Sequence, residues 1–93
     1  MRVTGRSLRI HGRVQGVFYR AWARETAIRL GVVGWVRNRS DGSVELVAWG
    51  PEAALDALYR SCLEGPPAAH VGRIEVAAAQ GDPPEGFRTL PTL

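Results

Sequence analysis

The chain has no lysine at all, and only one cysteine and two histidines among its 93 residues. Each scarcity closes a chemical route. A nucleotide-binding P-loop needs a lysine to reach the outer phosphates, so hydrolysis of ATP or GTP by that device is excluded. Cys62 has no second cysteine to pair with, which rules out an intrachain disulfide and suits a reducing compartment. His11 and His70 stand alone, with no carboxylates at metal-ligand spacing around them, and a metal is not expected. No stretch approaches the roughly 18 apolar residues of a membrane span, and the opening MRVTGRSLRI lacks the apolar core of a signal peptide. A cytoplasmic protein without membrane contact is the expectation.

What is present fits one compact domain over residues 1–93, because 45% hydrophobic content in a chain of this length supports one modest core and not two. The net charge of +3 comes from twelve arginines against nine acids, a mild bias toward anionic ligands. The arginines are scattered from Arg2 to Arg88, which does not make a nucleic-acid stripe.

Hydrophobic periodicity orders the elements. Residues 7–13 alternate like a half-buried strand, with Leu8 and Ile10 on one side. From Tyr19 to Leu30 the spacing becomes helical: Tyr19, Trp22, Ala23, Ala27 and Leu30 share a face, and Gly31 is placed to end the helix. Two strand-like runs, 33–39 and 43–50, flank Ser40-Asp41-Gly42, a hairpin signal. Pro51 fits the first turn of a second helix with Leu55, Leu58, Tyr59 and Cys62 on its apolar face, and Gly65-Pro66-Pro67 stops it. Val71 to Ala79 reads as a fourth strand with Ile74, Val76 and Ala78 on one side, and Phe87 to Leu90 as a short extra edge strand. The order βαββαβ predicts an α+β, ferredoxin-like sandwich: an antiparallel sheet with both helices on one face. Trp22, Trp35 and Trp49 read as core or half-buried residues.

The chemistry concentrates in GRVQGVFYR, Gly12 to Arg20, between the first strand and the first helix. Two glycines permit a tight turn, and the helix N-terminus adds unpaired N–H donors and partial positive charge, which together describe a cradle for a phosphate-sized anion. Val14 to Arg20 has the length of the loop in cysteine-dependent phosphatases, but Val14 stands where their nucleophile would be, and Cys62 falls on the second helix as a core residue. Without a nucleophile, a metal or an obvious base, a phosphoryl group on a good leaving group can still be hydrolysed. A carboxylate qualifies, since its conjugate acid has a pKa near ~4. Charge stabilisation and a placed water remain to be supplied. Arg20 offers a bidentate guanidinium for the phosphate oxygens. Asn38, just before the hairpin turn, is the candidate to orient the water, and a phosphate oxygen of the substrate is available to take its proton.

These two segments, GRVQGVFYR at 12–20 and GWVRNRSDGSVE at 34–45, resemble the acylphosphatase family in order and spacing. With the first strand, both helices and the Gly65-Pro66-Pro67 stretch leading into VGRIEV, the resemblance covers most of the chain. It implies a ferredoxin-like fold, no cofactor, small acyl phosphates as substrates and inorganic phosphate as product and competitor. It also implies that Arg20 binds the phosphate, that Asn38 orients the attacking water, and that the amides of Gln15, Gly16, Val17, Phe18, Tyr19 and Arg20 complete the cradle. Two departures lie outside the motifs. The tail FRTLPTL lacks the family's aromatic ending, and Gly72 interrupts the fourth strand.

Other readings share the fold. A βαββαβ RNA-binding module would carry aromatics in a pattern like R-G-F-G-F-V-x-F on its third strand, which here reads GSVELVAWG with Glu45 in the middle. A non-catalytic anion-binding domain would keep the cradle, but retention of both Arg20 and Asn38 favours an enzyme. A domain of a larger carbamoyl-transfer protein would look similar, whereas Met1 at the start and an end soon after the last strand favour a free-standing enzyme, expected to be a monomer.

Overall fold

The structure, a computed structural model, describes residues 3–93. Seven elements follow in the order β1 (Thr4–Arg13), α1 (Tyr19–Leu30), β2 (Val33–Asn38), β3 (Val44–Gly50), α2 (Glu52–Glu64), β4 (His70–Ala78) and β5 (Phe87–Thr89). The strands form one sheet in the order β4-β1-β3-β2-β5. The four long strands pair antiparallel, β1 lying between β3 and β4, and β2 beside β3. This is the ferredoxin-like α+β arrangement expected from the sequence.

Period-two alternation explains why one sheet face is apolar. Leu8 and Ile10 of β1, Val36 of β2, and Val44, Leu46 and Ala48 of β3 are buried, and they form one cluster with Tyr19, Ala23 and Ala27 of α1 and Leu55, Leu58 and Cys62 of α2. Gly31 ends α1 in the left-handed conformation (φ 75°), and its N–H caps the last turn. Among the described residues no helix is long and apolar enough to cross a membrane.

Several local expectations need correction. The sheet is mixed, because the extra strand β5 runs parallel to β2, with Gly34 opposite Phe87 and Val36 opposite Thr89. β1 starts at Thr4 and not at residue 7, since its polar N-terminal part is held through the backbone against Ala48, Trp49 and Gly50. Pro51 precedes α2 as its cap, with an extended ψ of 145°, and does not sit in the first turn. In β4, Ile74 and Val76 lie opposite Ile10 and Leu8 as the alternation requires, yet the edge position leaves Val76 exposed.

Gly12 does a different job from the one its sequence context suggests. It sits at φ 127° where the β1–β4 register shifts, and a Cβ there would overlap the His70 carbonyl oxygen and lie 2.6 Å from the Gly72 nitrogen. The glycine lets β4 approach closely at this irregularity in the strand pair. Gly72, the apparent irregularity of the fourth strand, is its partner in that close approach.

Candidate active site

Between β1 and α1 the chain makes a loop whose side chains point mostly inward. Val14 is 1% exposed and Val17 8%, so two apolar anchors hold the loop to the core. Gly16 (φ 73°) and Phe18 (φ 63°) take the left-handed conformation on either side of Val17, which does not. The left-handed Phe18 followed by the helical Tyr19 turns successive N–H groups toward one side, the geometry of an anion-binding nest. Phe18 is also the N-cap of α1 and gives the helix no side-chain hydrogen bond. The Trp22 N–H is the first to find a carbonyl, that of Phe18 at 3.1 Å. Among the described residues, the N–H groups from Gln15 to Ala21 donate to no carbonyl in the loops or caps. These are the orphan donors of a helix start, extended by the nest.

Tyr19 fixes where this donor row lies. Its ring is buried, packs 5.3 Å from Trp22 between centroids and faces Gly65, and its hydroxyl donates to the Cys62 carbonyl at 2.6 Å. Burial pushes the phenol well above its ordinary range, so it stays protonated. Tyr19 therefore reaches the site through its backbone alone.

Arg20 and Asn38 come from separate elements and line the same shallow cleft of about 410 Å³, with Val14, Gly16, Phe18, Tyr19, Ala21 and Thr89. Arg20 makes no ion pair among the described residues and is the one charged side chain in the lining. Asn38 closes β2 on the helix-covered face, two residues beyond the buried Val36. No buried side-chain polar atom among the described residues lacks a partner, so its amide, which bonds to no protein group, opens to solvent in the cleft.

Two of the residues assigned to the cradle sit differently from the rest. Val17 contributes its backbone while its side chain belongs to the core. The Gln15 side chain turns toward the β2–β3 hairpin, where its amide nitrogen donates to the Arg39 carbonyl at 2.8 Å and to the Ser43 carbonyl at 2.9 Å. Arg39 and Ser43 are the residues that close the hairpin turn, so Gln15 straps the loop to the strand end that carries Asn38. The sequence reading also missed Thr89. It reaches the cleft because β5 pairs with β2, and three residues of strand carry no local signal of that pairing. Beyond it the tail runs on along β2: the Leu93 N–H donates to the Asn38 carbonyl at 3.1 Å and the Leu93 carbonyl accepts from Ser40 N–H at 3.0 Å.

The other reactive side chains are committed elsewhere. Cys62 is fully buried, and burial raises its thiol to about 11, which leaves no thiolate at neutral pH. His11 pairs with Glu75 on the open face of the sheet. Among the described residues no three His, Cys, Asp or Glu side chains gather where they could hold a metal ion.

Comparison with known proteins decides the family. A family model described as Acylphosphatase matches residues 6–89. The chain belongs to the acylphosphatase family. An acylphosphatase of Acidovorax sp. (strain JS42) is 54% identical over 88 residues, covering 95% of this chain and 91% of its own length. One of Rhodospirillum rubrum is 49% identical over 86 residues, with 92% and 94% covered. Among solved structures, an acylphosphatase from Coxiella burnetii superposes with a TM-score of 0.90 at 36% identity, covering 95% of this chain and 93% of that one. This acylphosphatase thus shares family and fold over nearly its whole length, and the match includes the loop, the hairpin and β5.

Proposed function

We propose that this acylphosphatase hydrolyses the carboxyl–phosphate bond by direct attack of a water held by Asn38, while Arg20 and the loop N–H groups hold the phosphate. The observation that carries the reading is the convergence of a lone guanidinium, a row of unpaired N–H donors and an unpartnered amide on one cleft. Donors arranged in advance stabilise charge that builds on the phosphoryl oxygens without reorganising during the reaction. The water oxygen bonds to phosphorus as the phosphorus–oxygen bond to the acyl group breaks, and the leaving oxygen keeps the electron pair as a carboxylate. A proton of the water passes to a phosphate oxygen, since no lining residue is a base at neutral pH. Products are the carboxylate and inorganic phosphate, and no phosphoenzyme forms, in keeping with Val14 at the nucleophile's place in the related loop length.

Hydrolysis of benzoyl phosphate and acetyl phosphate, measured in chelator beside a phosphate monoester, tests the reading. Acceleration of the acyl phosphates alone is expected. No acceleration would overturn the activity, and loss of activity in chelator would overturn the metal-free mechanism.

A further inference from the structure

Phe18 carries two unfavourable features at once. It is 84% exposed, more than any other large hydrophobic residue among those described, and it is the one non-glycine residue there with a positive φ. The cradle needs the backbone conformation, and glycine or asparagine would adopt it with less strain. It needs the N–H of residue 18, which every amino acid except proline supplies. Nothing in phosphate binding calls for an apolar ring at this position, so the side chain requires its own explanation.

Its location supplies one. Phe18 lines the same cleft as Arg20 and Asn38, on the loop side, with Ala21 and Thr89 also in the lining. The cleft volume of about 410 Å³ is on the scale of a small organic ligand and exceeds what a phosphoryl group fills. An aromatic ring held out in solvent at the lip of a polar cradle gains most when a ligand's apolar part covers it. Non-glycine residues held in the left-handed conformation cluster at active sites and ligand clamps.

We propose that Phe18 is a specificity residue that packs against the acyl part of the substrate, so that this enzyme favours acyl phosphates with aromatic or extended apolar acyl groups over acetyl phosphate. The inference rests on the acyl phosphate reading of the site. The phosphate end is read by backbone and Arg20, and the acyl end by one ring.

The test is the ratio of kcat/KM for benzoyl phosphate to that for acetyl phosphate, in the full chain and in Phe18→Gly and Phe18→Leu. Glycine accepts the left-handed conformation, and any change it makes to the cradle acts on both substrates alike and cancels in the ratio. The intrinsic reactivities of the two substrates cancel in the same way between variants. In Phe18→Gly the ratio is expected to fall about 10-fold, the scale of a lost apolar contact in a specificity pocket, and Phe18→Leu is expected to lie between the two. A ratio in Phe18→Gly within about 2-fold of the parent would overturn this inference and leave the activity standing. If the parent hydrolysed neither substrate, the acyl phosphate reading would fall and this inference with it.

Discussion

Arg20 lies in the first turn of α1, where the helix has no acidic residue and its N-terminal end carries partial positive charge. A cation is disfavoured there by roughly 0.3–1 kcal/mol. With no carboxylate beside it, Arg20 has nothing in the described structure to offset that cost, and an anion would offset it. Arg20→Ala is therefore expected to weaken competition by inorganic phosphate and lower turnover while leaving the melting temperature unchanged or slightly raised. A clear fall in melting temperature would show that the guanidinium is structural. Asn38 gives a different pattern. Asn38→Ala should lower kcat by roughly 10²-fold or more, the scale of one lost polar stabiliser, while phosphate still competes, because the cradle is intact. Full turnover in that variant would remove the water-placing role.

The loop and the hairpin are separate elements, and the Gln15 amide joins them. Both of its neighbours are carbonyl oxygens, so only the NH₂ end can face them. Gln15→Ala should cost about 1–3 kcal/mol in chemical denaturation and lower kcat more than it weakens phosphate competition, because the cradle survives but its distance to Asn38 is no longer set. Gln15→Glu should be worse than alanine in both respects, since a carboxylate would face two acceptors. Equal behaviour of the two variants would mean that the strap does not position Asn38. What could be foreseen in this region follows from the range of the signals. Helix periodicity from Tyr19 to Leu30, the Gly31 stop and the Asp41-Gly42 turn are local, and both motif residues on the cleft, Arg20 and Asn38, were legible as polar residues at element ends. The Gln15 strap, the Gly12–Gly72 approach and the parallel docking of β5 depend on contacts between distant segments. Phe87, buried opposite Gly34, sets the β5 register more than fifty residues along the chain, and no pattern within Phe-Arg-Thr encodes that choice.

At the scale of the whole molecule, the face of the sheet away from the helices is laced by charge. Glu45 on β3 accepts from Arg39 at 2.8 Å and Arg37 at 3.0 Å, and Arg9 of β1 lies 4.0 Å away while also reaching Asp41 at 3.5 Å. The Arg37 guanidinium also rests over the Trp35 ring, 4.8 Å from its centroid. One carboxylate thus ties three adjacent pieces of sheet and commits the arginines that would otherwise make that face a free basic surface. Burial alone would raise the Glu45 pKa, but the hydrogen bonds and charges of Arg39 and Arg37 outweigh it and hold the carboxyl below its ordinary value of 4.5. Asp41, bonded by the Ser43 hydroxyl and N–H, and Glu75, bonded by His11, are lowered as well. A group whose folded pKa is depressed contributes stability that is complete above its unfolded pKa and is lost as the pH falls through the folded value. The melting temperature should then be flat from neutral pH down to about 5 and decline below that, as these three carboxylates are protonated. Glu45→Gln should melt lower than the parent at pH 7, by an amount corresponding to about 1–3 kcal/mol, because Arg9, Arg37 and Arg39 lose their shared acceptor. Its acid decline should be shallower, so that the two curves converge as the pH falls through the depressed folded pKa of the parent's Glu45. Parallel curves across the whole range would show that the variant acts through packing and not through the charge of Glu45.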